Sequence, residues 1–246
     1  MNLLTIDKLT AGYGKLTILH DLSLKVEKGQ YLGILGPNGS GKSTLVKSIF
    51  GLTDIFSGSI KISGQELVGV ATENICKRGL AYVPQRQNIF ATMTVRDNLL
   101  LAVRHLRRPK AHRALQDAYA LFPILAERQQ QSAGLMSGGE RQMLAIALAW
   151  LGKPQIMLLD EPSAGLSPLF VIEIFKLLRR LCESGITLVV VEQNARSLLR
   201  WCDYAYVLRE GGLAFEGSSS QILADEETVK SYLGVGGAAF SQRVAE

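Results

Sequence analysis

A nine-residue stretch, GPNGSGKST at residues 36–44, constrains the fold more than any other part of the chain. It has the pattern G-x-x-x-x-G-K-[ST], follows the short apolar run YLGIL and precedes an apolar helical pattern that ends at Gly51. Glycines let the backbone N–H groups of such a loop wrap around a phosphate chain, and the helix that follows adds a favourable dipole. The stretch therefore predicts a phosphate-binding loop between a strand and a helix.

This loop contains several candidate binding residues. Lys42 is predicted to reach the β- and γ-phosphates of a nucleotide, and Ser43 is predicted to hold Mg²⁺. The neighbouring positions supply the backbone cradle: Gly36, Pro37, Asn38, Gly39, Ser40, Gly41 and Thr44. A chance glycine-rich turn is the alternative, and the strand before the loop and the helix after it argue against that alternative.

Two carboxylates end a second apolar run, IMLLDEP at residues 156–162. Side chains alternate along a strand, so Asp160 and Glu161 need not have the same task. Beside a phosphate-binding loop, Asp160 is placed to hold the Mg²⁺ shell. Glu161 can then orient or deprotonate an attacking water, as the catalytic base. An ordinary polar turn after a strand is the alternative.

A third motif, LMSGGERQ at residues 135–142, precedes the amphipathic run MLAIALAWL. Ser137, Gly138 and Gly139 resemble a helix N-cap with exposed backbone amides, which is a second anion-binding device. Taken by itself, the segment is also compatible with an ordinary helix start.

Strands and helices alternate along the chain, which predicts an α/β core with a mostly parallel sheet. A helical block at 94–150, with breaks near Pro109, Pro123 and residues 132–134, interrupts this alternation and predicts an inserted subdomain. Residues 3–35 are predicted to form strands separated by turns, and residues 57–64 a turn, a strand and a second turn. Two short helices are predicted at 219–233 and a loose tail at 234–246. The other predicted strands are 18–26, 31–36, 80–84, 156–160, 187–192, 204–210 and 212–217, and the other predicted helices are 42–50, 168–183 and 195–202.

Composition narrows the class of protein. The chain of 246 residues is 47% hydrophobic and 20% charged, so it can bury a sizeable core. Its apolar runs fall short of the roughly 18–20 residues that span a bilayer, and its first residues lack the pattern of a secretory signal. Three cysteines without CxxC spacing argue against a disulfide framework or a zinc site and favour the cytosol.

The net charge of +5 is compatible with anionic ligands, a membrane surface or nucleic acid. The basic residues cluster in RHLRRPKAHR at 104–113. A solvated helix face or loop is the favoured interpretation, because charge runs are usually exposed. Contact with anionic lipid head groups is the alternative.

SGGERQ followed by a helix, and LLDEP some twenty residues later, resemble the ATP-binding cassette family. The resemblance covers about residues 1–233 as a single ATPase domain. It implies a P-loop NTPase core with an N-terminal antiparallel β subdomain and a helical subdomain inserted at about 87–150. It also implies ATP and Mg²⁺ as ligands, ATP hydrolysis, and a head-to-tail dimer. In such a dimer Ser137, Gly138 and Gly139 touch the γ-phosphate of an ATP that the partner chain holds.

Other positions of the family are matched one by one. Tyr13 in AGYGK corresponds to the aromatic residue that stacks on adenine, and Gln85 in YVPQ to a glutamine that binds Mg²⁺ and senses the membrane partner. The segment 90–99 resembles the entry into the helical subdomain. Residues 163–167 correspond to a loop between the subunits, and GLSP at 165–168 is similar to the subgroup that serves branched-chain and other hydrophobic amino acids.

Gln193, in VVVEQNA at 189–195, is a departure from the family pattern. Most cassettes carry a histidine here that contacts the γ-phosphate. A neutral amide can donate a hydrogen bond but cannot become cationic, and charge-assisted hydrogen bonds are roughly twice as strong. VEQNA resembles one of the two ATPase subunits of branched-chain amino-acid importers, whose partner usually carries the histidine. We expect Gln193 to contact the γ-phosphate in a slower or differently regulated site; capping of the next helix is the alternative.

The resemblance implies the nucleotide-binding subunit of an importer for branched-chain or related hydrophobic amino acids. It would form a dimer with a second cassette, for which a heterodimer is favoured over a homodimer. The dimer would dock on separate permeases at the cytoplasmic face of the inner membrane. A periplasmic binding protein would act indirectly, and no nucleic acid is expected. Cassettes for urea, short amides, other nutrients or lipid export stay open. A soluble cassette of DNA repair or translation is less favoured, and the intact Glu161 disfavours a non-hydrolysing scaffold.

Overall fold

A computed structural model describes residues 2–86 and 88–224. Its strands form two sheets. The strands are β1 (Asn2–Tyr13), β2 (Leu16–Glu27), β3 (Tyr31–Leu35), β4 (Asp54–Ile62), β5 (Gln65–Glu66), β6 (Leu80–Val83), β7 (Ile156–Asp160), β8 (Thr187–Glu192), β9 (Tyr204–Arg209) and β10 (Gly212–Ser218). The helices are α1 (Lys42–Ile49), α2 (Thr72–Lys77), α3 (Val95–Ala102), α4 (Arg108–Leu121), α5 (Pro123–Glu127), α6 (Gly138–Leu151), α7 (Pro168–Glu183), α8 (Ala195–Leu199) and α9 (Ser219–Ala224), and a short 3-10 helix spans Ala133–Leu135.

The larger sheet has the order β10-β9-β3-β8-β7-β6. Its first pair is antiparallel and the other neighbours are parallel. Every residue of β3, β7 and β8 is buried, as expected for strands that are covered on both faces. The smaller sheet, in the order β2-β1-β4-β5, is antiparallel. The expected α/β fold with an N-terminal antiparallel β subdomain is therefore present.

The two faces of the parallel sheet contribute to two separate cores because side chains alternate along each strand. Val189 and Val191 pack with the antiparallel sheet and α1, whereas Leu188 and Val190 pack with α6, α7 and α8. The helices α3 to α6 lie between β6 and β7 in the chain, and their apolar faces join the second core.

Breaks in the helical block follow the expected residues. Pro109 lies in the first turn of α4 and Pro123 begins α5, where a missing N–H costs nothing. Several elements differ from the expectations, among them β5, which was not predicted. The helix after β8 ends at Leu199, β4 begins at Asp54 because it pairs with β1, and α2 was not expected. The part of the predicted helices beyond 224 and the tail 234–246 lie outside the described residues.

Among the described residues, no helix is both long and apolar enough to cross a membrane. The basic cluster at 104–113 runs from the end of α3 into α4, and its arginines are exposed.

Candidate functional site

Four neighbouring parallel strands, β3, β8, β7 and β6, end at one edge of the larger sheet. The glycine-rich loop follows β3, Asp160 ends β7, Glu192 ends β8, and Gln85 follows β6 after one proline. Because β8 lies between β3 and β7, Gln193 follows the strand between the loop and Asp160. Ligands of open α/β sheets bind at this edge.

The loop requires glycine at its first and sixth positions. Gly36 has φ +150°, and a Cβ there would lie 2.3 Å from the carbonyl oxygen of Leu208. Gly41 has φ +96°, and a Cβ there would lie 2.7 Å from the Leu19 side chain. The loop borders a cavity of about 210 Å³, which is lined by Ile18, Asn38, Gly39, Ser40, Gly41, Lys42, Ser43, Thr44 and Glu161.

Lys42, the first residue of α1, is 4% exposed. Its Nζ donates to the carbonyl oxygens of Gly36 and Pro37 at 2.8 and 2.9 Å. Burial lowers the pKa of Lys42, while the nearby carboxylates of Glu161, Asp160 and Glu192 act in the opposite direction. A buried cation inside a glycine loop at a helix N-terminus fits a phosphate chain.

Ser43 and Asp160 meet directly. The Ser43 hydroxyl donates to Asp160 Oδ1 at 2.9 Å, and the Tyr82 hydroxyl donates to Oδ2 at 3.4 Å. Burial raises the pKa of Asp160, and the hydrogen bond from Ser43 and the charge of Lys47 oppose this shift. A hydroxyl and a carboxylate in contact beside a phosphate loop are oxygen ligands that suit Mg²⁺, so the residues present fit this ion.

Glu161 lines the cavity and has a left-handed backbone, with φ +46°. Its N–H donates to the carbonyl oxygen of Val191 at 2.9 Å. The side-chain amide of Gln85 donates to Glu161 Oε2 at 2.7 Å. The structure thus brings Gln85, Lys42, Ser43, Asp160 and Glu161 to one place.

Ser137 caps α6. Its hydroxyl accepts from the N–H of Glu140 at 3.3 Å, and the Glu140 carboxylate accepts from the N–H of Ser137 at 2.8 Å, which is a capping box. Ser137 and Gly138 are exposed. Neither they nor Gly139 line the cavity at the glycine loop, so the two predicted anion-binding elements lie in different places of the chain.

Tyr13 and Gln193 are both exposed near this edge. Tyr13 ends β1 and is 41% exposed, and the cavity-lining Ile18 lies on the next strand. Gln193 is exposed directly after β8. It does not cap α8, because Asn194 is the N-cap and its Oδ1 accepts from the N–H of Ser197 at 3.1 Å. The helix-cap alternative for Gln193 is therefore wrong.

Glu192 is a residue of this edge to which the sequence analysis gave no task. It is 3% exposed, and its Oε1 accepts from the N–H of Ser163 at 2.9 Å. Burial raises the pKa of Glu192 to about 7, against hydrogen bonds from Ser163 that lower it. The sequence signal for such a residue is a carboxylate that ends an otherwise apolar strand.

Comparisons with known proteins agree with this geometry. The family model described as ABC transporter matches residues 19–164. The high-affinity branched-chain amino acid transport ATP-binding protein BraG of Pseudomonas aeruginosa is 40% identical over 232 residues, which cover 94% of this chain and 100% of that protein. The lipopolysaccharide export system ATP-binding protein LptB of Haemophilus influenzae is 33% identical over 236 residues, 95% of this chain and 98% of that protein.

A solved structure has the same architecture over nearly the whole length. The nucleotide-free ATP-binding cassette from an ABC transporter superposes with a TM-score of 0.83 at 26% identity, covering 96% of this chain and 100% of the other. The chain belongs to the ABC transporter family and is an ATPase of that family.

Proposed function

We propose that this ATPase energises the uptake of branched-chain or related hydrophobic amino acids. The 40% identity that extends over the full length of BraG carries this proposal, because that relative is named for branched-chain amino acid transport. GLSP at 165–168 and VEQNA at 191–195, which the sequence analysis related to the same subgroup, support it.

The site residues have separate roles in this proposal. Residues 36–44 hold the phosphates through backbone N–H groups, and the Lys42 ammonium stabilises charge on the β- and γ-phosphates. Ser43, Asp160 and Gln85 hold Mg²⁺, which neutralises charge on the phosphate oxygens when it is bound. Tyr13 stacks on the adenine.

Glu161 is the proposed catalytic base. The oxygen of a water attacks the γ-phosphorus, the bond to the bridging oxygen of ADP breaks, and the proton of the water passes to the Glu161 carboxylate. The 2.7 Å hydrogen bond from Gln85 to Glu161 supports a second role for Gln85, since a displacement of Gln85 by a membrane partner would reorient the base.

The separation of Ser137, Gly138 and Gly139 from the cavity supports a head-to-tail dimer. In such a dimer the Ser137 hydroxyl and the N–H groups of Gly138 and Gly139 meet the γ-phosphate of an ATP held by the partner. Gln193 donates a neutral hydrogen bond to the γ-phosphate of the ATP that this chain's own loop holds. The second cassette carries a histidine at this position, so the two ATP sites of the pair are unequal. We therefore propose a heterodimer.

Import requires a path through the membrane, and no described helix can supply one. We propose that separate permease subunits supply it, that the chain is peripheral at the cytoplasmic face, and that a periplasmic binding protein delivers the amino acid. Lipid export is a second candidate, because LptB is 33% identical over a similar length.

The proposed substrate is tested by measuring growth and amino-acid uptake in cells that lack the gene. Loss of leucine, isoleucine and valine uptake, restored by the wild-type gene but not by Glu161→Gln, would support the proposal. Normal amino-acid uptake combined with a lipid-export defect would favour the second candidate.

A further inference from the structure

Glu192 is a buried carboxylate without a role in the functions described so far. Among residues 2–86 and 88–224, the buried charged side chains are Lys42, Asp160 and Glu192. The first two have tasks in phosphate and Mg²⁺ binding. Burying a carboxylate costs free energy unless hydrogen bonds compensate for the lost water, so a carboxylate at this position calls for a physical explanation.

The hydrogen bonds of Glu192 lead to the catalytic loop. Its Oε1 accepts from the N–H of Ser163 at 2.9 Å, and both residues are buried. Ser163 follows Glu161 by two positions and begins the loop 163–167. One residue earlier on β8, the carbonyl oxygen of Val191 accepts from the N–H of Glu161 at 2.9 Å. The end of β8 thus holds the turn 161–163 at two points, one of which is a side chain.

The turn needs such support because its backbone is strained. Glu161 has φ +46°, and a non-glycine residue in the left-handed region is unfavourable and persists where its surroundings fix it. The N–H of Ala164 donates to the carbonyl oxygen of Glu161 at 3.1 Å, which closes the turn. The direction of the Glu161 side chain therefore depends on where Ser163 is held.

We propose that Glu192 is a positioning residue for ATP hydrolysis: its buried carboxylate oxygen holds the N–H of Ser163 and so directs Glu161 towards the phosphate loop. This inference rests on the role proposed above for Glu161. It gives the strand end 192–193 two tasks, with Glu192 directed to the catalytic turn and Gln193 to the site beside it. The side chain acts through another residue and does not touch the reacting atoms.

Three substitutions separate the position of the acceptor from its charge. Glu192→Gln keeps an oxygen at the same reach and removes the charge. Glu192→Asp keeps the charge but withdraws the acceptor by one methylene, and Glu192→Leu removes both. Each is made in the full chain, purified with the subunits that accompany it, and thermal melting verifies folding.

ATP hydrolysis is measured as kcat and KM over a range of ATP concentrations. We expect Glu192→Gln to keep kcat within about threefold, and Glu192→Asp and Glu192→Leu to lose about tenfold to a hundredfold, because displacement of a catalytic group by about 1 Å can cost 10²-fold. The KM for ATP stays within about threefold in all three, since the phosphate loop is unchanged. A purely structural role would not lower kcat while leaving KM unchanged, and it would not let Glu192→Gln retain the kcat that Glu192→Asp loses.

The inference would be overturned if Glu192→Gln and Glu192→Asp had equal kcat. It would also be overturned if Glu192→Gln lowered kcat and Glu192→Asp did not. If the Leu variant does not fold, the comparison of Gln with Asp still decides. Glu161→Gln serves as the reference: turnover retained in that variant refutes the proposed base itself. Turnover abolished in Glu161→Gln but normal in Glu192→Asp refutes the role of Glu192 while the base stands.

Discussion

At the scale of single residues, Gln193 occupies the position at which the family resemblance implies a histidine. It is exposed after β8, between the strands that lead to the phosphate loop and to Asp160. With Asn194 as the cap of α8, the Gln193 side chain is free of that task. A neutral amide placed there can donate to a phosphate oxygen, but more weakly than a protonated imidazole.

Gln193→His is expected to raise the ATPase rate of the assembled complex about fivefold, since the gain of a charge-assisted bond is about 1 kcal/mol. The gain should grow as the pH falls through about 6.5, where an imidazole becomes protonated. Gln193→Ala should lower the rate by a similar factor. If both variants show the wild-type rate and ATP affinity at every pH, Gln193 has no phosphate role.

Glu192 makes folding stability depend on pH. Its pKa is about 7 in the folded chain, against 4.5 for an ordinary glutamate. Between these values the folded state binds more protons than the unfolded state, so this residue's contribution is present at low pH and is lost as the pH rises through 7. Glu192→Gln should remove this loss, on the order of 3 kcal/mol between pH 4.5 and 8.

Denaturant unfolding of both chains across this pH range measures the difference. The change of the difference with pH is the observable, because a constant offset also contains the new amide's hydrogen bonds. Glu127→Gln makes the same chemical change at an exposed position and serves as the matched control. Parallel curves for wild type and Glu192→Gln would contradict the shifted pKa.

At the scale of elements, close packing fixes the start of α6 against α7. A Cβ on Gly139 would lie 2.2 Å from the Phe170 ring, whereas a Cβ on Gly138 would be 3.4 Å from a Leu166 methyl, close to ordinary contact. The start of α6 therefore packs directly against the first turn of α7.

Gly139→Ala should lower the free energy of unfolding by about 1–3 kcal/mol, because the ring must move to admit the methyl group. Gly138→Ala, one residue away in the same turn, should cost less than about 1 kcal/mol. Thermal or denaturant unfolding compares the two. Equal stabilities would show that the ring moves aside at little cost.

Sequence reasoning identified the elements that carry a strong local signal. The glycine loop, the buried strands β7 and β8 and the N-cap of α6 follow from glycine spacing, apolar runs and a serine that precedes an amphipathic run. It missed α2, which has six residues, one buried side chain and no side-chain cap. It could not give the contact from Glu192 to Ser163 or from Gln85 to Glu161, because such contacts depend on the order of strands in the sheet.

At the scale of the whole molecule, the two proposed anion-binding elements lie apart in one chain. The cavity at residues 36–44 is lined by the proposed base and the lysine, and the exposed residues Ser137 and Gly138 lie outside that cavity. A second cassette placed head to tail would bring them together. Closure of such a dimer by ATP, and its reopening after hydrolysis, would move the permeases to which it is docked.

Transport by the reconstituted complex tests this account most directly. The chain is purified with its accompanying permeases and second cassette, inserted into liposomes, and supplied with ATP on the cassette side and a leucine-loaded binding protein on the other. We predict ATP-dependent leucine accumulation with the wild-type chain and none with Glu161→Gln, whose carbonyl oxygen can still accept from Gln85. ATP hydrolysis by the wild-type complex without leucine accumulation would contradict the proposed function, and accumulation with Glu161→Gln would contradict the proposed mechanism.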